Sequence, residues 1–272
     1  MQHNTSDKNE GLEILLKNIK ETEVRKREEC LLKKNYLYVK CAGHVQSPVY
    51  SRLLDLHKGI LRRRCLEKLY IPKVPTISDF FRCAGSNIIS ARTPTASFLD
   101  LILFLKKNGV REPSIFRKEG ERGKYTEIML KLSKNERIEY KRYTIIELAS
   151  GLKSYVRDYM NGYFDKKLLI KIFASIKEND LDKAVKQCKY LIFSMNKMRR
   201  SCFLNLQELF LMIDKNSDKT KMSLQSLCNI FCMTFTPNEM FENVDEIGIS
   251  VQFFSILINL DLEDLSDVRD LI

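Results

Sequence analysis

The chain has 272 residues, 44% of them hydrophobic and 30% charged, enough for one large domain or a domain with an extension. No apolar run approaches the roughly 20 residues that cross a bilayer, which excludes an integral helical membrane protein. The start, Met1-Gln2-His3-Asn4-Thr5-Ser6-Asp7, lacks the charged-then-apolar order of a signal peptide, so a cytoplasmic location is expected.

Net charge is +11; residues 1–72 carry 15 basic and 9 acidic side chains, the remainder 31 and 26, so the excess is denser at the N-terminus. A basic balance suits nucleic acid, anionic lipid or an acidic protein surface, and also a lysine-rich solvated face. The eight cysteines are scattered with no Cys-x-x-Cys pair, as expected of small buried hydrophobes in a reducing compartment. Cys30, Cys41, His44 and Cys65 match no paired zinc-ligand spacing, and no resident metal or cofactor is expected.

Helical periodicity dominates from the first residues onward. Residues 10–40 and 48–70 carry leucines and isoleucines at helical spacing, broken around Ala42-Gly43-His44 and Ser47-Pro48. Ile71-Pro72-Lys73-Val74-Pro75 marks a boundary between a basic helical extension, 1–72, and a helical domain, 73–272. Next, Thr95 or Ser97 can cap a helix holding Phe98, Leu99, Leu101, Ile102, Phe104 and Leu105, apolar nearly all round and so expected to be buried. Asn108-Gly109, residues that tolerate a left-handed backbone, end it.

A second helix is expected over 122–133. Thr144 and Glu147 form a capping-box pattern opening a third, which runs to Tyr159 and stops at Asn161-Gly162. Asp165 caps the next, and further helices are expected over 181–196, 201–214, 222–235, 237–243 and 249–260, with Pro237 at a first helical position. No alternating strand pattern of useful length occurs. The fold class is therefore all-α, an irregular multi-helix bundle preceded by a helical N-terminal extension.

The chemistry follows from what is missing and what remains. All three histidines, His3, His44 and His57, precede the domain, which argues against Ser-His or Cys-His catalysis within it. Neither a glycine-rich phosphate loop nor a dinucleotide fingerprint is present. What remains is Ser114-Ile115-Phe116-Arg117-Lys118-Glu119-Gly120, after the loop Asn108 to Pro113. An arginine following a buried Ile-Phe pair has a fixed base and a free head, suited to another molecule's phosphate. Lys153 and Arg157 lie four residues apart, on one face of the helix opened by Thr144, with Leu148, Leu152, Tyr155, Val156 and Tyr159 as the buried stripe. They read either as one basic face among many or as a cationic patch for an acidic partner.

These segments resemble a Rho-family GTPase-activating (RhoGAP) domain over residues 75–272. The family loop Gly-Ile-Phe-Arg-x-x-Gly is here 114–120. Its helix Leu-Lys-x-Phe-Leu-Arg-Glu-Leu-Pro is here Leu152 to Met160, and its later Asn-Lys-Met-Thr-x-x-Asn-Leu-Ala is here Thr220 to Cys228. The resemblance implies that Arg117 is an arginine finger, acting in trans on the GTP of a bound Rho-type GTPase that brings its own magnesium and attacking water. Lys153 and Arg157 match the basic pair that supports GTPase contact and the finger loop, and Ser226 falls where the family has a GTPase-contacting asparagine. The chain departs from the pattern at Ser114, at Tyr159-Met160-Asn161-Gly162, at Ser226 and at Cys232-Met233. These changes bear on catalytic strength and partner choice more than on the fold.

Two rivals stand beside the activator. One is a module of the same fold that holds a GTPase without accelerating it. The other is a nucleic-acid binder using Arg25-Lys26-Arg27 and Arg62-Arg63-Arg64, ranked lower because aromatic interleaving there is thin. The N-terminal helices can pack on the domain, pair with another copy or touch an anionic membrane, in which case the protein is peripheral there. An amphipathic extension burying its own stripe is the plainer reading.

Overall fold

A computed structural model describes residues 55–69, 92–241 and 243–262. The boundary expected at Ile71–Pro75, the helix over 10–40 and most of the imagined zinc cluster lie outside them. The chain divides into two units, Met1–Arg64 with Asp261–Ile272, and Cys65–Leu260. Helix α1 (Asp55–Leu69) crosses that division, and everything below concerns the second unit.

Among the described residues this unit is helical and has no strand. Helix α2 (Ala96–Asn108) is followed by α3 (Arg122–Ser133) and α4 (Ile145–Ser154), which continues as a π-turn over Tyr155–Tyr159. Then come α5 (Lys166–Lys177), α6 (Leu181–Ser194), the long α7 (Lys197–Lys215) and the single turn α8 (Ser217–Thr220). Helix α9 (Leu224–Phe235), a 3₁₀ turn (Asn238–Met240) and α10 (Val244–Ile258) complete it. The main packed pairs are α3 with α4, α2 with α7, α9 with α10 and α5 with α6.

The expected caps are in place. Thr95 accepts from the Phe98 N–H, Asp165 from the Lys167 N–H, and Thr144 with Glu147 closes both halves of a capping box. Each such cap is worth about 1 kcal/mol, since it satisfies amides the helix cannot. Asn161 and Gly162 do stop the basic helix, both left-handed at φ 56° and 90°. A Cβ on Gly162 would meet the Pro237 nitrogen at 2.7 Å, so the residue is required sterically as well.

Besides the π-turn at the end of α4, four local expectations change. Helix α2 is not buried all round: Leu103 is 44% exposed, while Phe98, Leu101, Ile102 and Leu105 face the core. Gly109 ends α2 in a right-handed conformation at φ −104°. Its smallness matters instead, because a Cβ would lie 3.1 Å from the Leu105 carbonyl oxygen and 3.2 Å from Ile115 and Ile145 side-chain carbons. Helices α7 and α10 begin earlier than expected, at Lys197 and Val244, where the side chains of Asn196 and Asn243 cap them. Pro237 precedes a short 3₁₀ turn rather than opening an α-helix.

The core is aromatic. Phe210, Phe231, Phe235, Phe253 and Phe254 are fully buried, with Phe235 and Phe254 ring centres 4.9 Å apart and Phe210 and Phe231 4.5 Å apart. The described cysteines, Cys65, Cys188, Cys202, Cys228 and Cys232, are free thiols in this interior. Burial pushes Cys65 and Cys202 up to about 12 and Cys228 to about 11, so these are packing groups rather than nucleophiles. Arg199 is buried as well. Its guanidinium donates to the carbonyls of Tyr163 (2.8 Å) and Arg92 (2.6 Å), while the Tyr163 hydroxyl donates to the Arg199 carbonyl (2.6 Å).

Candidate functional site

The loop joining α2 to α3 is pinned through its backbone. The Glu112 N–H donates to the Gly109 carbonyl (3.0 Å) and the Ser114 N–H to the Thr220 carbonyl (2.7 Å). The Arg117 and Lys118 N–H groups both donate to the Ser114 carbonyl at 3.0 Å. This tight path needs left-handed backbone at two non-glycine residues, Ser114 (φ 60°) and Phe116 (φ 65°). Left-handed geometry costs roughly 1–2 kcal/mol for a residue with a Cβ.

Phe116 offsets that cost by burial. Its ring is fully buried, edge-on to Phe231 at 4.8 Å and to Phe210 at 5.9 Å. Burying a phenylalanine contributes about 1.5–3 kcal/mol, comparable to or larger than the strain. Ile115 is fully buried too. The base of Arg117 is thus held by two core side chains and by its own main chain, while the side chain itself is exposed.

One face of α4 supports the loop from behind. The Gly120 N–H donates to the Ser150 hydroxyl at 3.0 Å. Gly120 lies so close to α4 that a Cβ would meet the Glu147 Cα at 2.7 Å, so no other residue fits without shifting the backbone. Glu147 is buried, and burial by itself would raise its pKa. The Thr144 N–H, the Lys124 ammonium (3.2 Å) and the Thr144 hydroxyl together outweigh that and hold the carboxyl below its ordinary range.

Lys153 is the strongest link. Its ammonium donates to the Phe116 carbonyl at 2.9 Å, one peptide before the arginine. Burial pulls its pKa down, with Glu119 opposing that shift and Arg157 adding to it. Arg157, one turn on, is exposed and makes a two-pronged ion pair with Asp158, at 2.7 and 3.0 Å. Those hydrogen bonds raise its pKa, and the Glu119 carboxylate acts on it in the same sense.

Ser226 sits in the first turn of α9. Its N–H donates to the hydroxyl of the capping residue Ser223 (3.2 Å), and the two hydroxyls are 3.1 Å apart. The Arg117 guanidinium reaches across to the Ser226 oxygen at 3.4 Å, a long hydrogen bond. The structure therefore gathers Arg117, Lys153, Arg157 and Ser226 around one loop. Sequence reasoning missed Ser150, Thr220 and Glu119: Ser150 and Thr220 act through a hydroxyl or a main-chain carbonyl, and Glu119 through charge alone, none of which carries a spacing signal. Among the described residues no group of three or more His, Cys, Asp or Glu side chains could hold a metal, and no helix is long and apolar enough to cross a membrane.

Residues 96–240 match the family model of the RhoGAP domain, so the chain belongs to the RhoGAP family. Its fold is similar to that of the BH domain from Graf, the GTPase regulator associated with focal adhesion kinase: 17% identity over 60% of this chain and 89% of that one, TM-score 0.51. It is also similar to human Rho GTPase activating protein 15, at 16% identity over 72% of this chain and 99% of that one, TM-score 0.52. No curated protein sequence matches the chain. Membership of the family implies a Rho-family GTPase as partner.

Proposed function

We propose that this chain stimulates GTP hydrolysis by a Rho-type small GTPase in its GTP form, with Arg117 as the arginine finger. The observation that carries this reading is the contrast within one residue: a base fixed by Ile115, Phe116 and Lys153, and an exposed cationic head. Phosphoryl transfer needs positioning and charge more than covalent help, and a guanidinium delivered in trans is worth about 10³–10⁵ in rate. Nucleotide, magnesium and attacking water come with the partner, and the chain contributes no cofactor. Lys153 acts by holding the finger loop. Arg157, outside the core, meets the acidic partner.

Single-turnover hydrolysis with a panel of GTP-loaded Rho-type GTPases tests the proposal. Arg117→Ala is expected to keep binding and to lose about 10³-fold or more of the acceleration. Weakened binding with unchanged turnover would remove the finger role. A second reading, a module that binds a GTPase without accelerating it, is favoured by Ser226, whose short hydroxyl offers less reach than an amide. Binding of the GTP form with hydrolysis left at the intrinsic rate would establish it instead.

A further inference from the structure

Arg117 rests against the start of α9. Its guanidinium can only donate, so the Ser226 oxygen accepts at 3.4 Å. The Ser226 and Ser223 hydroxyls share a hydrogen bond at 3.1 Å, and the Ser223 oxygen also accepts the Ser226 N–H at 3.2 Å. The main chain beneath Arg117 is fixed by the Ser114 carbonyl and the Phe116 ring, so only the side-chain torsions of Arg117 are free. Where its head rests in the unbound protein is therefore decided by what it can reach, and Ser226 is within reach.

The contact is weak by construction. It is long, its acceptor is neutral, and the first turn of a helix carries a partial positive charge that disfavours a cation. We propose that Ser226 is a positioning residue that parks the Arg117 head beside α9 in the free protein and gives it up when a phosphate competes for it. The proposal rests on the reading of Arg117 as a finger and assigns Ser226 a role before the partner arrives.

Three substitutions separate hydroxyl, geometry and charge. Ser226→Thr keeps the oxygen, Ser226→Ala removes it, and Ser226→Asp puts a carboxylate in the first turn of α9, where negative charge suits the helix and bonds the guanidinium by charge. The first readout needs no GTPase: the order of the Arg117 Nε–H bond by nitrogen-15 relaxation on the full chain, its signal assigned by loss in Arg117→Lys. Order should fall in the alanine variant, hold in the threonine variant and rise in the aspartate variant.

The second readout is single-turnover hydrolysis by a GTP-loaded Rho-type GTPase. The aspartate variant should lower the maximal rate about tenfold, because a charged anchor competes better than a neutral one, with a much smaller change in the half-saturating concentration. An Arg117 signal that is the same in the alanine and aspartate variants overturns the proposal. So does a tightly held Arg117 in the aspartate variant with wild-type turnover. If Arg117 responds as described while the wild-type protein accelerates no GTPase, the parking stands and the finger reading falls.

Discussion

Lys153 and Arg157 leave the same helix four residues apart and both feel Glu119, yet one is half-buried against the 114–120 loop and the other is exposed. Lys153 turns inward, donates a hydrogen bond to the Phe116 carbonyl and has its pKa lowered by burial. Arg157 turns outward, pairs with Asp158 and has its pKa raised. Between them the α-helix passes into the π-turn, where the Met160 N–H reaches back to the Tyr155 carbonyl. Like charge and helical spacing thus conceal a division between a half-buried support of the loop and an exposed cation paired with Asp158.

The sharpest way to break this contrast is Lys153→Ala. It leaves a loop carbonyl without its donor, and a stability loss of about 1–3 kcal/mol is expected in denaturant titration. In hydrolysis assays the maximal rate should fall, with binding of the GTPase less affected. If Lys153 were only a surface contact, binding would fall alone and the melting midpoint would not move.

Glu147→Ala tests the support from the far end of α4 and is expected to cost about 1 kcal/mol, the scale of a lost cap. It also predicts a pH signature. The Glu147 carboxyl titrates lower in the folded than in the unfolded chain. Its contribution is therefore complete above the ordinary glutamate range and disappears as the pH falls through the folded value. Stability measured from pH 7 to pH 3 should converge for the two proteins at the acid end; a constant gap would show that the charge is not involved.

Ser114→Gly relieves one of the two left-handed residues, and a gain of up to about 1 kcal/mol is expected, partly cancelled by the greater freedom of glycine in the unfolded chain. The smallest stability effect belongs to Arg157→Ala, within about 0.5 kcal/mol of wild type because its ion pair is exposed. Its expected effect is on GTPase binding, and it should shrink as salt is added. A large drop in melting temperature for Arg157→Ala would erase the distinction between the two cations.

Much of this was legible in the sequence. Thr95, Thr144 with Glu147, and Asp165 announce their helices because a short polar side chain before an apolar run has few other uses. The Ile-Phe-Arg order announces a fixed base and a free head. The direction of Lys153 was not legible, since its partner is a main-chain carbonyl that looks the same in every residue. Nor was the place of Arg199, whose neighbours Met198, Arg200 and Ser201 suggest a surface turn, whereas its guanidinium is enclosed and donates to two carbonyls. The expectation of an α-helix through Tyr159 missed the π-turn because no residue type demands one.

The fully buried ring of Phe116 has a consequence for the cost of association. An exposed loop that had to order itself on each encounter would charge the loss of chain entropy to the complex every time. Here that entropy is lost once, when the aromatic core closes around Phe116 during folding. What is left to immobilise on encounter is a single arginine side chain. A pre-organised loop of this kind lowers the entropic cost of each encounter with a partner.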